Sequence, residues 1–171
     1  GDELFGGNPP YGKQQVFELY GQIPAALRRG LIEPLTASPL GALPGVGRKA
    51  RSYVEQARIP LPDRLQTYNF LHRHDPAEIF NNEFLEAVDP GLPLTRQRAA
   101  YTSPARGDAL HRMMYLDWQY VLADNDLCKV SRTAALADVD VAFPMLDDRV
   151  VALSCRVPPE QQVRRGQLRR F

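Results

Sequence analysis

The chain has 171 residues, with 21 Lys and Arg against 20 Asp and Glu for a net charge of +1. That length fits one domain with a sizeable core, and 44% hydrophobic with 24% charged residues argues against disorder. The near-zero charge gives no electrostatic basis for broad nucleic-acid or membrane binding, and no apolar run reaches the roughly 18 residues of a membrane span. Two cysteines, Cys128 and Cys155, are too few for a disulfide framework; they fit a reducing, cytoplasmic setting.

In chain order, G-D-E-L-F-G-G-N-P-P-Y-G-K (1–13) reads as a tight, exposed loop in which Pro9-Pro10 keeps a helix from starting. Its first residue, Gly1, lies inside a glycine-rich motif, so the sequence reads as a piece of a longer protein. Apolar spacing from Gln14 to Leu35 predicts two short helices split at Pro24, and the turn-rich 36–47 a loop. Helical spacing returns over Arg48–Ile59 and Pro62–His72. Asp75-Pro76 caps a helix expected to run through Val88 and to stop at Asp89-Pro90-Gly91. Thr95–Arg106 is polar and gives no periodic signal.

From Gly107 the pattern sharpens. Asp108 is placed to cap a helix with the apolar stripe Leu110, Met113, Met114, Trp118 and Val121. Ala123-Asp124-Asn125 is expected to break it at a corner, with a second helix from about Asp126 to Leu136. Val139–Pro144 reads as extended and Asp147–Ser154 as a short helix ended by Pro158-Pro159. The core is expected to include the first four stripe residues with Val121, Leu127, Val130, Val150, Val151 and Leu153. The fold class is mainly α, with no βαβ alternation in this chain.

Several groups bear chemistry. Asp2 and Glu3 beside glycine-rich backbone suit a magnesium ion on a phosphate, although spacing alone favours a charged turn at a frayed terminus. Asp117 falls on the stripe facing the core and needs a partner there, Lys129 or Arg132 being nearest in sequence. It serves either as half of a structural ion pair or as a group orienting a polar substrate. His72, His74 and His111 lack ligand spacing, which speaks against zinc. The basic tail Arg164, Arg165, Arg169 and Arg170 reads as a solvated end, with phosphate or nucleic-acid contact as the alternative. No Walker-type G-x-x-x-x-G-K-[ST] occurs.

Several stretches together resemble one family. G-D-E-L-F-G-G is similar to the second half of the G-D-G-G-D-E-L-F-G-G-Y loop of the glutamine-hydrolysing asparagine synthetases. Tyr115–Arg132, Y-L-D-W-Q-Y-V-L-A-D-N-D-L-C-K-V-S-R, is similar to its Y-L-D-x-x-x-x-L-P-D-D-L-L-x-K-x-D-R. Val141–Asp147, Leu153–Glu160 and the tail from Arg164 follow its V-R-V-P-F-L-D, A-x-x-L-P-P-E and R-G-G-x-x-K-x-L-x-R segments in order. The resemblance covers 1–13 and 107–171, with 14–106 as a helical segment between them. It implies the helical C-terminal part of an α/β adenine-nucleotide-α-hydrolase-like synthetase domain, without the glutaminase domain or the S-G-G-x-D-S loop.

The activity so implied is ATP-dependent. An acceptor carboxylate is adenylated, pyrophosphate leaves, and glutamine-derived ammonia attacks. On that resemblance Asp2 and Glu3 belong to the magnesium-pyrophosphate side, with Asp2 as magnesium ligand, and Asp126 and Lys129 to the acceptor and phosphate pocket. ATP and Mg2+ are cofactors of the parent enzyme, and the chain alone is expected to be inactive and to bind neither tightly. Asp140 stands for the family's glutamate in E-x-R-x-P, while Ser131, Asp138 and Ala142 replace an aspartate, a serine and an arginine. Those changes remove polar anchors on the acceptor side and leave the acceptor open between free aspartate and another carboxylate. The alternative function is a non-catalytic helical interaction module, and an uncovered apolar face leads to an expectation of self-association.

Overall fold

A computed structural model describes residues 1–69, 71–104, 107–164 and 166–169. The chain falls into two compact units, Gly1–Lys13 with Gln97–Phe171, and Gln14–Arg96. Helices dominate both, and the described strands form one small antiparallel hairpin.

In the first unit the opening segment is helical and partly buried, contrary to the exposed loop expected there. Asp2–Phe5 forms a short helix ended by Gly6 in the left-handed region, φ 69°, a conformation open to glycine because it has no Cβ. Leu4, Tyr11 and Gly12 are buried. The next helix starts at Pro9 and runs to Gln22. Pro9-Pro10 therefore opens this helix instead of preventing it, because proline lacks only an N–H that the first turn leaves unpaired anyway.

Leu92–Thr102 is helical where the sequence showed no periodicity. Asp108 caps the following helix, its carboxylate accepting from the His111 amide at 3.0 Å. The corner expected at Ala123-Asp124-Asn125 is absent. Winding continues through Ala109–Leu116, a wide π-helical stretch Asp117–Leu127, and Cys128–Leu136. The polar triplet is absorbed by wider winding, which admits the extra residue per turn. Val139–Phe143 has no regular structure, and Asp147 caps the helix Asp148–Ser154. Val163–Arg164 then pairs with Gln167–Leu168, turning through Gly166 at φ 77°.

The core of this unit is Leu4, Tyr11, Tyr101, Leu110, Met113, Met114, Leu116 and Val163. Trp118, Leu127, Val150 and Val151 are half-buried, whereas Val121, Val130 and Leu153 are exposed. The π stretch explains the first of these misses, since it turns Val121 off the stripe that 3.6-residue spacing assigned to it.

In the second unit the break at Pro24 is present, followed by winding over Ala25–Leu27, Arg28–Ile32 and Glu33–Ala37. Val46–Ala57 forms the amphipathic helix expected there. Pro62–His72 is not one helix: Asp63–Gln66 and Leu71–Arg73 are separate single turns. The helix capped by Asp75 stops at Ile79, because Phe80 is extended and Asn81 caps a new helix, Asn82–Ala87. Phe17, Tyr20 and Val54 make the centre, with Phe17 stacked on Tyr53 at 5.2 Å. Arg64 is buried beside them, donating to the carbonyls of Ile59 and Ala57 and to Gln14 Oε1.

Candidate functional site

The first unit gathers polar groups around the G-D-E-L-F-G-G segment. The Trp118 indole N–H donates to the Glu3 carbonyl at 2.7 Å. Directly after Gly7, Asn8 Nδ2 donates to Asp117 Oδ2 at 3.2 Å, and the Tyr11 hydroxyl, three residues on, donates to the same oxygen. Asp117 therefore pairs with neither Lys129 nor Arg132. Its partners are two neutral donors about a hundred positions away in sequence, and no local pattern in the sequence shows that meeting.

Burial sets the electrostatics of this cluster. It pushes the Asp117 carboxyl above its ordinary range; the hydrogen bonds from Tyr11 and Asn8 pull partly the other way, and Glu3 adds to the rise. Burial likewise pushes the Tyr11 phenol up, reinforced by the neighbouring Asp117 charge. With neutral donors in place of a cation, Asp117 is an acceptor that fixes the opening segment against the helix.

Asp2 points elsewhere. Its Oδ1 accepts from Arg169 Nη2. Gly7 lies against this pair, and a Cβ there would run into both the carboxylate and the guanidinium. Among the described residues no three His, Cys, Asp or Glu side chains gather as metal ligands. A lone carboxylate already neutralised by a guanidinium does not fit a magnesium ion held by protein groups.

Glu3 lines a cavity of about 200 Å³ with Leu4, Leu122, Leu127, Phe143 and Leu146. The wall is apolar apart from that carboxylate and main-chain groups. Asp126 and Lys129 meet each other, not the opening segment: Lys129 Nζ lies 3.2 Å from Asp126 Oδ1, one helical turn away and largely exposed. His74 pairs with Glu78 and His111 with Asp108. Arg164 is exposed, while Arg165 and Arg170 lie outside the described residues.

The sequence singled out Asp2, Glu3 and Asp117 but missed Asn8, Tyr11 and Gln162. The last is fully buried at 0% exposure, its amide donating to the carbonyls of Ser154 and Val157. Gly6 packs on it: a Cβ at Gly6 would stand 3.0 Å from the Cβ of Gln162. The expected partner of Asp117 was wrong because proximity in sequence stood in for proximity in space.

Among the described residues no helix is long and apolar enough to cross a membrane. No curated protein and no solved structure matches the chain. The asparagine synthase family model matches residues 1–171. The middle segment 14–106, helical but without a family motif, lies inside that match together with both motif-bearing ends. The chain belongs to the asparagine synthase family.

Proposed function

We propose that the protein serves an ATP-dependent ligase of the amidotransferase kind. In the proposed reaction an acceptor carboxylate attacks the α-phosphorus of ATP and releases pyrophosphate. Ammonia from glutamine then displaces AMP, leaving an amide. The observation that carries this reading is the family match along residues 1–171. Asn8, Tyr11, Asp117 and Trp118 support it as a frame that holds the G-D-E-L-F-G-G segment in one place. Fixed backbone next to leaving phosphates is what such chemistry uses.

ATP and magnesium enter as the nucleotide complex. The S-G-G-x-D-S loop that would cradle the phosphates is not in this sequence, so the 171 residues alone are expected to bind ATP weakly and to form no amide. The acceptor is proposed to be a carboxylate other than free aspartate, given Ser131, Asp138 and Ala142. The test is acceptor-dependent exchange of labelled pyrophosphate into ATP, measured on the full product of the gene that encodes these residues. Exchange with a panel carboxylate supports the ligase. Robust asparagine formation from aspartate keeps the ligase and removes the acceptor proposal, and no exchange with any acceptor removes the ligase.

A second reading, a helical interaction module, is favoured by the apolar groove of Val130, Ala134, Ala137 and Val139, beside Leu136, itself 91% exposed. It predicts concentration-dependent association, and a monomer at high concentration in light scattering would count against it.

A further inference from the structure

The carboxylate that family resemblance assigns to magnesium has another occupation in this molecule. We propose that Asp2 is the anchor of Arg169, forming an ion pair that clasps the opening segment to the hairpin 163–168, and that it is not a metal ligand. This rests on geometry within the first unit and stands apart from the ligase reading.

Three contacts converge on the same seam. Arg169 reaches Asp2 from the residue that follows the second strand. A Cβ at Gly6 would meet Gln162 Cβ and a Val163 methyl at 3.0 Å, so the segment lies directly on the residues leading into the hairpin. A Cβ at Gly12 would stand 3.1 Å from the Gly166 carbonyl oxygen, at the hairpin turn. The opening segment and the hairpin thus approach each other through Gly6 and Gly12, and the Asp2–Arg169 ion pair crosses the same seam.

Charge chemistry favours the clasp over the metal. A guanidinium beside a carboxylate neutralises it and spends one of its lone-pair directions. A divalent ion would have to displace Arg169 and leave that cation facing it, and the described residues supply no cluster of ligands to offset the loss. Gly7 adds the steric element. Because it has no side chain, the carboxylate and guanidinium can close over the main chain, whereas any Cβ would push them apart.

Both side chains are partly exposed, 39% for Asp2 and 59% for Arg169, so the pair is a modest fastening rather than a buried one. The test is thermal unfolding of the 171-residue chain as wild type, Asp2→Asn, Arg169→Gln and the double variant, each with and without millimolar magnesium chloride. The clasp predicts that each single variant lowers Tm by up to about 3 °C and that the double variant lowers it no further. Gly7→Ala, which parts the pair sterically while keeping both charges, should abolish the further effect of Asp2→Asn. Magnesium should leave the wild-type Tm unchanged. Additive single effects would overturn the clasp. So would a magnesium-induced rise in wild-type Tm that Asp2→Asn removes.

Discussion

Trp118 donates its indole hydrogen to the main-chain carbonyl of Glu3 across 115 positions of sequence. This bond holds the opening segment against the helix at the main chain of Glu3, separately from the Asp117 and Arg169 contacts. Trp118→Phe keeps most of the ring but leaves that half-buried carbonyl without its partner. We expect a loss of about 1–2 kcal/mol in unfolding free energy, measured by urea denaturation.

Asp117 gives the stability a pH dependence. Its folded carboxyl is raised, chiefly by burial, so the folded state holds this proton more tightly than the unfolded chain. The resulting stabilisation is complete below the ordinary carboxylate value of about 4 and is lost as pH rises through the raised folded value. Tyr11 has the same sign but acts only in the alkaline range, because its phenol is raised too. Asp117→Asn should flatten the acidic part of the profile. Urea denaturation from acid to neutral pH checks it, and an unchanged slope would count against the assignment.

The close approach of Gly12 to Gly166 is a backbone contact. A Cβ at Gly12 would face the Gly166 oxygen at 3.1 Å and its Cα at 3.3 Å, and neither can rotate away. Gly12→Val should cost about 1–3 kcal/mol despite removing a glycine from a helix. Thermal unfolding of the variant measures it.

The π-wound stretch Asp117–Leu127 has α-helix on both sides. π winding is rare and is found mostly as single-turn bulges within α-helices, so an eleven-residue run of it is the less favoured part of this helix. Its amides should exchange with solvent faster than those of Ala109–Leu116 and Cys128–Leu136, resolved by exchange mass spectrometry. Uniform protection along 109–136 would refute that.

Calorimetric titration of the 171-residue chain with ATP and magnesium should show no micromolar binding. A saturable isotherm in that range would mean that these residues hold a nucleotide without the missing phosphate loop.

Much of the helical content was legible because its signals are local. Asp75 and Asp108 sit just before their helices and accept from the amides of Ala77 and His111, as capping chemistry requires. Pro24 breaks the chain where a missing N–H demands it. What escaped was non-local or lay outside simple periodicity. Leu92–Thr102 carries too little amphipathic contrast to stand out by spacing, and the π stretch shifts Val121 off the stripe that regular spacing predicts. The residues of the candidate site were half legible. Glycines and acids drew the eye to Asp2 and Glu3, but nothing near Asp117 announces Asn8 and Tyr11, and nothing near Asp2 announces Arg169.

The first unit is built from both ends of the sequence, 1–13 and 97–171, while Gln14–Arg96 draws its contacts from one continuous stretch. During synthesis these have different timetables. At about 5–20 residues per second, Asp2 leaves the ribosome on the order of ten seconds or more before Arg169, 167 positions later. Until then Leu4 and Tyr11, buried in the finished protein, lack the residues that cover them. Residues 14–96 can make the contacts internal to their own unit meanwhile, so that unit is set to mature first and the first unit to complete its contacts only once Arg169 has emerged.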